Sequence, residues 1–296
     1  MPTGPSHDDA SLPWNFLALP PEQSGYGSSR FLVLPVPYDG TVSYRTGARQ
    51  GPSAIIDASR QMEDYDIELG RETCALGIHT LPEVQPHPAG PEATVERVHD
   101  AVGRAYRPGA VMVTLGGEHS ITAGAVRALK EQHPDLSVLM LDAHADFRDS
   151  YQGSAYSHAT VGRRITESCP LAIVGVRSLS SEEREAIQED GQPMYTWPQD
   201  CSVEELAEAA LTHLTGTVYI SIDLDALDPS IMSAVGTPEP GGMLWAETLT
   251  LLRTVASRRR IVGFDLMELA PPEGPVSCAY TAAKLAYKLM GYATLN

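Results

Sequence analysis

Lysine is nearly missing from this chain. It occurs only at Lys130, Lys284 and Lys288, and Lys plus Arg together number 21 against 38 Asp plus Glu. The formal net charge of -17 argues against nucleic acid or an anionic membrane as partner and favours metal ions or positively charged small molecules. Cysteine is also sparse. Cys74, Cys169, Cys201 and Cys278 form no CxxC pair and no Cys/His cluster, which excludes a zinc ribbon, a thioredoxin-type motif and a disulfide scaffold. Reduced thiols in the cytoplasm are the expected state. No apolar run approaches the roughly 18 residues of a membrane-spanning helix. The opening MPTGPSHDDASLPW lacks the basic and apolar segments of a secretory leader. Internal repeats, low-complexity tracts and long linkers are absent too. What remains, with 43% apolar and 20% charged residues, is the composition of an ordinary globular protein.

Residues 1–29, rich in Pro, Gly and Ser, read as an extended N-terminal arm with a small apolar patch at Trp14–Leu17. A single domain is expected over residues 30–296. Short apolar runs at Phe31–Val36, Val111–Leu115, Ser137–Leu141, Leu171–Val176, Val218–Ile222 and Arg260–Leu266 suit buried strands. Helical spacing begins near Pro52 and recurs at Ile121–Gln132, Ser181–Glu189, Val203–Leu214, Ala246–Ala256 and Ser277–Met290. Apolar strands alternating with amphipathic helices predict a three-layer α/β/α domain around a central, mostly parallel sheet. Ligands of such sheets bind beyond the carboxyl ends of the strands.

The residues at those ends carry the chemistry. Val111–Leu115 runs into Gly116-Gly117-Glu118-His119-Ser120, which places His119 just past a strand. A lone histidine there is more often structural than functional. Ser137–Leu141 ends in Asp142-Ala143-His144-Ala145-Asp146, and in extended chain the three polar side chains point to one side. Two carboxylates and an imidazole packed together call for a cation. Val218–Ile222 ends in Asp223-Leu224-Asp225, again two carboxylates at i and i+2. Two His and four Asp exceed the needs of one ion and suit two divalent ions, with Mn²⁺ favoured by the oxygen-rich set. Such a pair holds a bridging hydroxide, a nucleophile at neutral pH. Glu268, after the last apolar run, could pair with a planar cation such as guanidinium or simply with a helix arginine. His158 could relay protons or merely cap a helix.

Together these segments resemble the ureohydrolase family of arginases, agmatinases and formiminoglutamases. The matching stretches are GGEHS at 116–120, DAHADFRD at 142–149, SHAT at 157–160, SIDLDALDPS at 221–230, GTPEPGG at 236–242 and DLMEL at 265–269. The loop YDGTVSYRTGARQGPSAI at 38–55 matches as well. The resemblance implies two Mn²⁺ ions held by His119, Asp142, His144, Asp146, Asp223 and Asp225. It implies Glu268 as the guanidinium-pairing carboxylate, His158 as the proton-handling residue and Thr237 at the pocket border. Asp146 would orient the attacking hydroxide and protonate the leaving amine, and the products would be urea and an amine. Trimers or hexamers of identical chains are implied as well.

The substrate implied is a small cationic guanidine. The loop Ser150–Ser157 lacks the Asn pair with which arginases bind an amino-acid carboxylate. Val176-Arg177 is followed by Ser178-Leu179-Ser180 where arginases place a carboxylate for the α-amino group, with Glu182 and Glu183 just beyond. Both departures favour agmatine or an aminopropyl-agmatine, as in the agmatinases. Arg148, if it points inward, favours a guanidino acid. A metal-bound family member without activity is the remaining alternative, and no ligand is lost to support it.

Overall fold

The computed structural model describes residues 12–296. Its centre is an eight-stranded sheet built from β1 (Phe31–Val36), β2 (Ile78–Thr80), β3 (Val111–Gly116), β4 (Leu136–Leu141), β5 (Leu171–Val176), β6 (Met194–Thr196), β7 (Thr217–Asp223) and β8 (Arg260–Met267). The order across the sheet is β2-β1-β3-β8-β7-β4-β5-β6, and every neighbouring pair is parallel.

Both faces of this sheet are covered, and the strand sequences say why. Along β4, Val138 and Met140 join one apolar cluster while Leu139 and Leu141 join the other. The same alternation splits Val218, Ile220 and Ile222 of β7 from Tyr219. A strand apolar at every position, rather than at every second one, needs a helix layer on each side. On one face lie α1 (Gly51–Ser59), α6 (Val203–Leu211), α7 (Trp245–Ala256) and α8 (Ser277–Tyr292), through residues such as Ile55, Leu206, Leu251 and Leu285. On the other lie α2 (Pro91–Ala105), α3 (Thr122–Gln132), α4 (Val161–Thr166) and α5 (Ser181–Asp190), through Val98, Val126, Ile165 and Ile187.

The six strands expected from apolar runs are all present, with ends moved by a residue or so. The structure adds α2, α4 and the short edge strands β2 and β6 to the elements expected. Helix α2 carries only Val95, Val98 and Val102 as large buried apolar residues, a thin i, i+3, i+7 stripe in a polar segment. Of the arm expected over 1–29, residues 1–11 lie outside the described residues. The remainder docks on the core rather than standing away from it. Phe16 is fully buried, its N–H donates to Thr80 Oγ1 (2.9 Å), and Leu17 N–H donates to Ser59 Oγ (2.9 Å). All four cysteines are unpaired, and three are buried. Among the described residues, no helix is long and apolar enough to cross a membrane.

The chain order explains where a site forms. From β3 the chain crosses through α3 to β4 and builds outward to β6. It then returns to insert β7 and β8 between β4 and β3. The four central strands β3, β8, β7 and β4 therefore come from distant parts of the sequence, and their carboxyl ends meet at one edge.

Candidate active site

Each central strand delivers polar side chains just past its end. His119 opens a single 3-10 turn beyond β3, Asp142 follows β4 directly, Asp223 ends β7 and Glu268 follows β8. Gly117 permits this convergence. A Cβ there would lie 1.7 Å from the Tyr38 carbonyl oxygen, so only glycine lets the loop at 38–41 lie against the segment that carries His119.

The ligand atoms of His119, Asp142 and Asp223 lie within 4.8 Å of one another, as do those of Asp142, His144 and Asp225. Asp142 belongs to both groups. His119 Nδ1 sits 3.1 Å from Asp142 Oδ2, 3.2 Å from Asp223 Oδ2 and 3.4 Å from Asp146 Oδ2. His144 Nδ1 sits 3.0 Å from Asp225 Oδ2 and 3.6 Å from Asp142 Oδ1. The six residues expected to ligate metal are thus in one cluster. Asp146 reaches it differently from the expected i, i+2, i+4 alternation. Its backbone turns into the left-handed region at φ 47°, and Glu268 does the same at φ 66°. For non-glycine residues this costs roughly 1–3 kcal/mol, and these two of the five such residues among those described face the cavity.

The electrostatics of the cluster call for cations. Burial, then the charges of Asp225 and Asp142, push Asp223 well above the carboxylate range. Burial and Asp142 push Asp146 up to about 7, and burial with Glu118 raises Glu268. Burial alone would lower His119 and His144, yet the surrounding carboxylates raise both. Asp142 is fully buried, and His119 and His144 hold it below the usual carboxylate range despite that burial. His119 Nδ1 and Asp142 Oδ2 are close but make no hydrogen bond to each other or to anything else. Two orphaned buried polar atoms facing each other are what a bound cation would satisfy.

The far side of His119 settles which nitrogen is available. Asp265, fully buried in β8, accepts from Ser221 Oγ (2.7 Å), Thr122 Oγ1 (2.8 Å) and the Tyr219 hydroxyl (2.8 Å). With its proton given to Asp265, Ser221 Oγ accepts from His119 Nε2, 2.9 Å away. In the neutral ring that makes Nε2 the N–H and turns the Nδ1 lone pair toward the carboxylates, the arrangement typical of a metal-ligating histidine. Ser221→Ala is expected to weaken Mn²⁺ binding about 10–100-fold in calorimetric titration of the metal-stripped protein. Unchanged affinity would remove Ser221 from this role.

A cavity of about 210 Å³ opens onto the cluster and is lined by His144, Asp146, Asp223 and Asp225 together with His158, Thr237, Glu268 and Arg148. All the residues expected to bind substrate therefore reach one space. Glu268 Oε1 accepts from the His119 backbone N–H (2.7 Å), which anchors one carboxylate oxygen. Thr237 Oγ1 donates to Asp225 Oδ2 (3.3 Å) and so touches a candidate ligand. Burial and the nearby His144 push His158 down to about 4, which keeps it neutral at pH 7. Arg148 does line the cavity, but its guanidinium lies 3.5 Å from Glu183 and stacks 5.2 Å from the Tyr151 ring centroid.

Two glutamates acquire roles beyond those expected of them. Glu118 is buried and accepts from Thr41 N–H, Thr41 Oγ1 and Ser120 Oγ, each at 2.6 Å. Glu183 accepts from Phe147 N–H (3.1 Å) and Ser180 N–H (2.9 Å), tying α5 to the loop that carries Asp146. For Glu118 the available signal was a carboxylate directly after Gly116-Gly117, and for Glu183 it was the Ser180-x-x-Glu183 spacing of a capping box.

The arginase family model matches residues 29–291. This chain belongs to the arginase family. It is 40% identical to N(1)-aminopropylagmatine ureohydrolase of Synechocystis sp., over 91% of this chain and 90% of that protein. It is 35% identical to agmatinase of Pyrococcus horikoshii, over 88% and 91%. The agmatine ureohydrolase of Thermoplasma volcanium superposes with a TM-score of 0.84 at 32% identity, covering 91% of this chain and 92% of that one. The α/β/α fold with its parallel sheet is accordingly that of the arginase family, and relatives at this level of identity are hydrolases of linear amidines.

Proposed function

We propose that this member of the arginase family hydrolyses a small cationic guanidine, agmatine or an aminopropyl-agmatine, to urea and an amine. The relatives' activities support the reaction. The observation that carries the substrate class is the pairing of charge around the cavity. Both arginines that line it are matched by carboxylates, Arg148 by Glu183 and Arg45 by Glu273. Asp146, Asp223, Asp225 and Glu268 meanwhile face the same space. With Asp146, Asp223 and Asp225 assigned to metal, Glu268 is the lining carboxylate left to take a guanidinium, whereas a substrate carboxylate would have to break an existing arginine ion pair.

In this reading His119, Asp142, His144, Asp146, Asp223 and Asp225 hold two Mn²⁺ ions, and the orphaned His119 and Asp142 atoms fit that assignment. Bound metal supplies Lewis acidity and lowers the pKa of water. The protein's own groups do the rest. Glu268, one oxygen anchored, offers the other to the guanidinium and orients its carbon toward the ligand cluster. Asp146 lies within the cavity and delivers a proton to the departing amine nitrogen. His158, neutral at pH 7, exchanges protons between the cavity and solvent. Residues 30–296 form the catalytic domain. Assembly of several copies is part of the proposal, supported by the exposed apolar side chains of Tyr65, Ile67 and Tyr280 around one hollow.

Urea release from agmatine, aminopropyl-agmatine, arginine, guanidinobutyrate, guanidinopropionate and guanidine tests this. The expected result is a kcat/KM for one of the first two at least about tenfold above the rest. Preference for a guanidino acid would sink the cationic-substrate reading and make Arg148 the carboxylate contact. Silence on all six would refute the proposed reaction.

A further inference from the structure

The cavity contains a histidine whose ring is held from behind by a residue outside the cavity wall. His158 Nδ1 lies 3.2 Å from Thr41 Oγ1, and the His158 backbone N–H donates to the same oxygen at 3.1 Å. Thr41 Oγ1 donates its own proton to the buried Glu118 at 2.6 Å, and the Thr41 N–H donates to the other Glu118 oxygen at 2.6 Å. A hydroxyl has one proton and two lone pairs. Here the proton goes to Glu118, one lone pair takes the His158 backbone N–H, and the second faces Nδ1.

We infer that Thr41, clamped by Glu118, is a positioning residue that holds His158 as its Nδ1–H tautomer and leaves the Nε2 lone pair free for proton exchange in the cavity. The tautomer follows from hydrogen-bond counting. With Glu118 ionised and accepting from Thr41 N–H, Thr41 Oγ1 and Ser120 Oγ, the Thr41 oxygen has no proton to spare and can only accept, so Nδ1 donates. Ser157 Oγ, 3.3 Å from Nδ1, is compatible as a second acceptor. The edge-on Tyr151 ring, with centroids 5.6 Å apart, limits the tilt of the imidazole from another side. The three residues are remote in sequence, Thr41 standing 117 positions before His158 and 77 before Glu118. They meet because the loop after β1 lies against the Gly117 segment, where no side chain would fit. Thr41 itself does not line the cavity, so its substitution is expected to alter proton handling rather than substrate binding.

The inference rests on the guanidine hydrolysis proposed above, and its test is arranged so that the two fail separately. Thr41→Val is expected to lower kcat for urea release about tenfold with KM within about twofold, while Thr41→Ser stays within about twofold of the native protein. In a His158→Ala background the same Thr41→Val change is expected to alter kcat by less than about twofold, because a residue that acts through His158 has nothing left to act on. Equal losses in both backgrounds, or failure of serine to rescue, would overturn the inference while leaving the reaction intact. Ring ¹⁵N shifts of His158 in the full-length protein, kept diamagnetic with Mg²⁺, supply a readout that needs no turnover. The expected pattern is protonated Nδ1 with bare Nε2, lost in Thr41→Val. Protonated Nε2 in the native protein would overturn the assignment whatever the activity.

Discussion

Asp142→Asn is expected to reduce kcat/KM for urea release on the order of 10³-fold or more, and to lower the metal taken up from Mn²⁺ solution to about half of the native protein's or less. Asp142 is the carboxylate shared by both candidate ligand groups, one oxygen facing His119 and the other His144. An amide in its place keeps the shape, removes the charge and puts an NH₂ where a cation should sit. Among the described residues no other carboxylate lies beside both histidines, so compensation by a neighbour is not expected. Activity assays with elemental analysis check this, and circular dichroism confirms that the variant folds. Activity within tenfold of the native protein, with full metal content, would show that Asp142 is not the bridge.

Removal of metal is expected to destabilise the protein, and more so as pH rises. The sign follows from the folded-state protonation of the cluster. Burial and neighbouring carboxylates raise Asp223, Asp146 (up to about 7) and Glu268, so without metal the folded state binds protons that the unfolded chain has released. His119 and His144 are raised as well, which acts in the same direction above their ordinary range. Stability is then greatest below the unfolded carboxylate values and is lost as pH rises through the raised folded values. His158, pushed down to about 4, opposes this between about 4 and 6.5, but as a single group against five.

The metal-stripped protein is therefore expected to lose stability between pH 5 and pH 8. A few kcal/mol, or about 5–10 °C in Tm, is the order of the effect. Added Mn²⁺ replaces the missing protons, so its stabilisation should be larger at pH 8 than at pH 6. The acidic surface also repels itself more at high pH, but it is indifferent to a cation bound in the cluster. Differential scanning fluorimetry with and without chelator at the two pH values separates the two effects. An Mn²⁺ shift equal at both would mean that the carboxylate cluster does not hold the ion.

The polar residues at the strand ends were readable because each stands out against an apolar run. A His, Asp or Glu within a few residues of the end of a run of five or six buried residues belongs at the carboxyl edge of a parallel sheet. His119, Asp142, Asp223 and Glu268 do stand at that edge, and the strands of two-faced burial declared the three-layer fold. Helix α2 was overlooked because its buried stripe is three valines in a charged segment. The edge strands β2 and β6, three residues each, are too short to register any period.

What the sequence determined by itself is local. Continuous apolarity sets strands that need cover on both faces, and strand-end motifs set which donors stand at the sheet edge. Only the tertiary structure decided which nitrogen of His119 faces the cluster, because Asp265 and Ser221 act from strands β8 and β7. Only it showed that Asp146 arrives through a left-handed turn rather than by strand alternation. It alone paired Arg148 with Glu183, which offsets the charge that arginine would otherwise lend to the cavity. It also brought Thr41 and Glu118 behind His158. These outcomes depend on hydrogen bonds and ion pairs between residues up to more than a hundred positions apart. Spacing along the chain carries information about which face a residue occupies, but a proton's location or a charge's partner is set by whatever the fold places opposite it.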